Sequence, residues 1–100
     1  MITCEEYNDV NQLISYMDDN GNKVHLEYDD HNRVSRSYTD YDYIIYFYNE
    51  NNQISYEEVY TNYGNLIRKV WLYYNGEYLD HVVSDDGIDV WLDKDMNKIS

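Results

Sequence analysis

Apolar side chains recur along this chain in short runs of period two, each run ended by Asn, Asp or Gly. That spacing fits half-buried β-strands. Val24, Leu26 and Tyr28 alternate with His25 and Glu27, and Tyr43, Ile44, Ile45, Tyr46, Phe47 and Tyr48 form the longest unbroken apolar run. Aromatic and β-branched residues suit a pleated surface, so residues 43–48 are predicted to be an internal strand, apolar on both faces. Residues 49–52 then break the pattern with turn-forming side chains, and Ile54, Tyr56 and Tyr60 recur at even spacing as the second arm of a central hairpin. That arm carries Glu57 and Glu58 on opposite faces and must show at least one of them to water. Further on, Leu66, Arg68, Val70 and Leu72 fall on one side of a long strand, with Ile67, Lys69, Trp71 and Tyr73 on the other. An apolar stub from Ile2 to Tyr7 opens the chain.

Turn signals recur about every ten residues, which predicts an all-β fold: an antiparallel meander of about eight to ten short strands built from successive β-hairpins. Residues 1–100 form a single domain. Asn20-Gly21 and Asn75-Gly76 are the best two-residue hairpin pairs. No segment holds apolar residues at helical spacing over three turns, and residues 9–17 and 56–60 are merely the most helix-tolerant pieces.

One form repeats at twice the turn interval: Tyr7-Asn8-x-x-Asn11-Gln12-Leu13, Tyr28-Asp29-x-x-Asn32-Arg33-Val34 and Tyr48-Asn49-x-x-Asn52-Gln53-Ile54. A degraded copy, Asp93-x-x-x-Asn97-Lys98-Ile99, closes the chain. The form resembles the tyrosine-aspartate (YD, Rhs-type) repeat over residues 7–60, with Asn at 11, 32 and 52 where that family has Gly. The resemblance implies a β-hairpin array. Long arrays of that family form shells around toxins or mediate surface contacts, and three or four copies are too few for a shell.

Composition sharpens the picture. Tyr accounts for 14 of the 100 residues, and because each hydroxyl needs water or a partner, many of these rings should lie half buried. The expected core is thin and rests on Ile, Leu, Val, Phe47, Trp71 and Trp91. With no Pro and only 4 Gly, the turns fall to Asn and Asp, which tolerate left-handed dihedrals. The single Cys4 excludes an intrachain disulfide, suits a reducing compartment and is expected to be packed in the opening stub. No apolar run approaches the roughly 18 residues of a membrane span, and no leader follows Met1, so a soluble cytoplasmic protein is expected.

Candidate chemistry is sparse. Asp18, Asn20 and Asn22 alternate as in a calcium loop, but the glycine is misplaced and no Glu stands at the twelfth position, so a hairpin turn is the expectation. His25, His31 and His81 have no ligand spacing and read as exposed residues. Adjacent acids such as Glu57 and Glu58 are expected by chance when 20 of 100 residues are acidic, so no enzyme, metal or cofactor is predicted.

The net charge of −13 carries the functional expectation. It disfavours direct binding to nucleic acid or an anionic membrane and fits either a basic partner or acidic turns that only keep the sheet soluble and blunt its edges. In a meander the turns alternate between two ends of the sheet. One rim would gather Asp9, Asp29, Asp30, Glu50, Glu77, Asp93 and Asp95, and the other Asp18, Asp19, Asp40, Asp42, Asp85 and Asp86. Same-end turns recur at about 10 Å, which gives rows of carboxylates able to stand in for nucleic acid phosphates. The candidate partner-binding residues are Asp29, Asp30, Asp40, Asp42, Glu50, Glu57, Glu58, Asp85 and Asp86, with Tyr46 and Tyr48 as aromatic contacts. This profile resembles small acidic inhibitors of the anti-CRISPR or anti-restriction type. Immunity proteins that neutralise nuclease toxins share it, and an adhesive module of YD type is the third expectation. In the first two cases the partner is a basic protein, a nuclease or another nucleic-acid-binding protein.

Overall fold

The structure of the chain is a computed structural model that describes residues 3–99. Ile2 of the predicted opening stub lies outside the described residues. Nine strands follow one another: β1 (Thr3–Tyr7), β2 (Leu13–Met17), β3 (Lys23–Tyr28), β4 (Val34–Tyr38), β5 (Asp42–Tyr48), β6 (Ile54–Thr61), β7 (Leu66–Asn75), β8 (Tyr78–Ser84) and β9 (Asp89–Trp91). They form one antiparallel sheet in chain order, β1 to β9. The expected meander is what the chain adopts, with β5 internal and residues 9–17 and 56–60 free of helix.

One local device makes most of the turns. In seven loops, beginning at Asn8, Asp18, Asp29, Asn49, Thr61, Ser84 and Asp93, the first N–H donates to the carbonyl of the fifth residue at 2.8–3.0 Å. The first side chain then accepts backbone N–H groups inside the loop. Asn49 Oδ1 takes Asn51 and Gln53, Asp29 Oδ1 takes His31 and Arg33, and Thr61 Oγ1 takes Tyr63 and Asn65. The fourth residue is left-handed: Asn11, Asn32, Asn52 and Met96 at φ 61–67°, and Gly21 at 81°. A type I turn closed by a left-handed residue is the three-residue hairpin loop, and only Gly or a short polar side chain adopts that conformation cheaply. Gly21 is therefore the closing residue of a longer loop, which corrects the expected two-residue Asn20-Gly21 hairpin. The calcium-like alternation of residues 18–22 has the same origin, since Asp18 Oδ1 is already bonded to the Asn20 and Asn22 N–H groups.

Successive loops at one end are also tied together. Gln12 Nε2 donates to Asn32 Oδ1 at 3.2 Å, Arg33 Nη1 to Asn52 Oδ1 at 3.1 Å, and Gln53 Nε2 to the Gly76 carbonyl at 2.9 Å. A tyrosine at or next to the end of the strand before each of the later loops reaches back in the same way. Tyr28 donates to the Leu13 carbonyl, Tyr48 to Val34 and Tyr74 to Ile54, at 2.6–2.7 Å. Each repeat thus caps its predecessor, which is the physical content of the Tyr-Asx pairing seen in the sequence. Tyr7, in the first of the copies described, bonds Glu5 instead.

The described residues form no second layer. Among the described residues no apolar side chain is fully buried, and the buried residues are Ser15, Ser37 and Ser84. The expected core is therefore corrected: Phe47 and Trp91 are 44% and 41% exposed. A flat single layer would be about 10 Å thick, yet the shortest dimension of the molecule is 27 Å, so the sheet is strongly twisted and curled. The register places Leu26, Ser37, Ile44, Val59, Val70, Leu72, Val82 and Val90 on one face, and none of them is exposed. This more sheltered side is the inner face of the twisted sheet. His25, Tyr38, Tyr43, Phe47, Tyr56, Tyr60, Trp71, Tyr73, His81 and Trp91 share the outer face.

Candidate functional site

The meander puts the two acidic rims where the turn order requires, but the carboxylates on them have unequal roles. Asp29 is the side-chain acceptor of its own loop and also takes the Arg33 guanidinium at 2.9 Å. Partial burial pushes its pKa up, but the Arg33 and His31 N–H groups and the Arg33 side chain outweigh this and hold the carboxyl below its ordinary value. Asp42 accepts the Thr39 hydroxyl, Asp85 the Lys69 N–H, and Asp86 the Ser84 hydroxyl and Arg68. The Ser84 bond, then Arg68, lower the pKa of Asp86. These acids hold the fold, and of the second rim's candidates Asp40 alone has an uncommitted carboxylate.

The first rim differs. Asp9, Asp30 and Glu50 each stand second in their loop, and those loops are the ones joined side by side by Gln12 and Arg33. Gln53 extends the ladder to the turn that carries Glu77. Asp9, Glu50 and Glu77 accept no side-chain hydrogen bond, and Asp30 touches only His31, at 3.3 Å. Two strand spacings separate neighbours in this row, about 10 Å. Asp9 and Glu77 belong to it as fully as Asp30 and Glu50. The membership of Asp9 was available in the sequence from the phase of the repeat, since Asp9, Asp30 and Glu50 hold one loop position, and that of Glu77, in the Gly76-Glu77 turn, from the order of the turns.

Glu57 and Glu58 face opposite sides. Glu58 lies on the outer face and accepts the hydroxyls of Tyr56 and Tyr60 at 2.9 and 3.0 Å. Burial first, then that bond, push the Tyr56 hydroxyl up to about 12. Glu57 lies on the inner face, opposite Tyr46 on β5 and Val70 on β7, and has no hydrogen-bond partner. Burial alone raises its pKa. Tyr46 bonds Ser37 at 2.8 Å across the same face, and Tyr48 is committed to the Val34 carbonyl. Neither tyrosine offers a free hydroxyl.

The outer face is an aromatic ladder. Tyr43 stacks on Tyr60 at 5.0 Å, and Phe47, Tyr56 and Trp71 run in series at 5.4 and 5.6 Å. His25 stacks on Tyr38 at 4.7 Å, and His81 lies between Tyr73 and Trp91, 3.8 Å from the latter, with Nε2 2.6 Å from Asp89 Oδ1. His31 is exposed as expected, but His25 and His81 are half buried, because aromatic neighbours on the paired strands cover their rings. Cys4 is exposed at φ 54°, in the irregular pairing of β1 with β2, and so is not the packed residue expected.

Asp29, Asp30 and His31 bring ligand atoms within 4.8 Å of one another. Asp29 is spent on its loop and on Arg33, which leaves this surface group poorly suited to an ion. No helix is long and apolar enough to cross a membrane. No protein-family model and no curated protein matches the chain.

Proposed function

We propose that this is a small acidic inhibitor protein whose first rim occupies the nucleic-acid groove of a basic partner, a nuclease or another nucleic-acid-handling protein. The supporting observation is the in-register row Asp9, Asp30, Glu50 and Glu77, whose carboxylates are presented on hydrogen-bonded loops. Fixed, regularly spaced anions on a rigid edge lose little freedom on meeting a cationic groove, and the net charge of −13 draws such a partner in. The protein acts by binding and not by catalysis, in the cytoplasm. Inhibition of the anti-CRISPR or anti-restriction type and neutralisation of a nuclease toxin by an immunity protein use the same chemistry, and the neighbouring genes distinguish the settings.

The test is competition. Binding should be measured against basic nucleic-acid-binding proteins encoded beside the gene, with a labelled duplex as competitor. The protein and the duplex should exclude one another, and affinity should fall as salt rises. A partner that holds both at once, with affinity indifferent to salt, would contradict the proposal. The unbroken ladder of loops and tyrosines favours a second reading, a structural or adhesive module of YD type. Under that reading the protein binds an uncharged or acidic surface and leaves the duplex in place.

A further inference from the structure

The inner face has no covering element among the described residues, and its features specify an occupant. Leu26, Ile44, Val59, Val70, Val82 and Val90 line it across six strands, half buried and touched by no second layer. At its middle stands Glu57, half buried and without a hydrogen-bond partner. Of the other charges on the central strands of this face, Asp42 accepts the Thr39 hydroxyl and Arg68 is paired with Asp86 at 2.7 Å.

We propose that this face docks a basic amphipathic helix of the partner, apolar side chains along the stripe and one Lys or Arg on Glu57. The proposal rests on the reading of a basic partner and adds the place where that partner is held. Three observations select a helix and a cation. A sheet face offers side chains and no backbone groups, so a segment lying on it must satisfy its own N–H and C=O groups, as a helix does. The stripe crosses six strand spacings, at most about 29 Å, a span for a helix of up to about 19 residues. A half-buried carboxylate without a partner favours a cationic donor, and the acidic first rim borders the same face.

The probe is a leucine-lysine peptide of about 18 residues with its leucines on one helical face. Controls are a scrambled peptide of the same composition and a leucine-glutamate peptide of the same spacing. The patterned basic peptide should bind, gain helix on mixing, and bind at least about tenfold more weakly to Glu57→Gln. Glu58→Gln, on the outer face, should bind as the parent does. A second variant, Val70→Thr, keeps a β-branched residue in the strand and should also weaken binding. If the scrambled peptide binds equally and Glu57→Gln changes nothing, the inner-face proposal falls while the acidic-rim reading stands. If the leucine-glutamate peptide binds as well as the basic one, both fall. A free protein that sediments as a dimer and dissociates in Val70→Thr would assign the face to a second copy and overturn the proposal.

Discussion

Asn49 and Asp29 hold the same place in successive loops: one side-chain oxygen accepts two loop N–H groups, and the other atom pairs with the fifth residue, Asn49 Nδ2 donating to Gln53 and Asp29 Oδ2 accepting from Arg33. Asn49→Ala should therefore lower stability by about 1 kcal/mol or more, whereas Asn49→Asp, which keeps the accepting oxygen and loses the Gln53 bond, should cost less, both read from urea unfolding. Tyr48→Phe removes the 2.6 Å bond to the Val34 carbonyl and strands a half-buried acceptor, which should cost about 1 kcal/mol. Tyr7→Phe should cost less, since Tyr7 caps no earlier repeat.

Glu57 gives a pH test of opposite sign to the turn acids. Burial raises its folded pKa above the unfolded value, so the folded state holds more protons through that interval and stability falls as pH rises through it. Glu57→Gln should raise the melting temperature at pH 7 and leave it nearly unchanged at pH 3. Asp86 and Asp93 behave conversely. The Ser84 hydroxyl and then Arg68 lower the first, and the Asn97 N–H lowers the second against partial burial. Their contribution is present above the ordinary Asp value of about 3.9 and is lost as pH falls through the lowered folded values. Thermal melts across pH 2 to 7 separate the two effects.

At the scale of elements, the strands were legible because period-two patterning and the paired-strand order both follow from local chemistry. Residues 43–48 read as an internal strand, and they are β5, flanked by β4 and β6. The Tyr-Asx repeat likewise foretold the loops, down to Asn at the left-handed position. What the pattern did not reveal was the absence of a covering layer. Phe47, Trp71 and Trp91 have the character of core residues, yet they stack on cross-strand rings, because sequence hydrophobicity does not say whether a face meets protein or water. His81 was misjudged for the same reason, since its cover comes from Tyr73 and Trp91 on neighbouring strands. A sheet held without a core should open gradually from its margins. Amide exchange is expected to be slowest in β6 and β7, where both neighbours are long strands, and fastest in β1 and β9. Uniform exchange across all nine strands would require a concealed cooperative core.

At the scale of the whole molecule, the twisted sheet separates three surfaces: an aromatic outer face, a sheltered inner face with Glu57, and rims whose acids differ in duty. The rims were legible from turn order. Which rim is available was not, because the engagement of Asp42, Asp85 and Asp86 depends on Thr39, Lys69, Ser84 and Arg68 meeting them in three dimensions.

The central claim is that geometry on one rim, beyond total charge, recruits a basic partner. Stopped-flow association with that partner tests it, comparing two variants of equal charge change: Asp9→Asn with Asp30→Asn and Glu50→Gln, and Asp19→Asn with Asp40→Asn and Asp85→Asn. The first set should slow association about tenfold at low salt and flatten its salt dependence, while the second stays near the parent. Equal slowing by both sets, or by neither, would contradict the account.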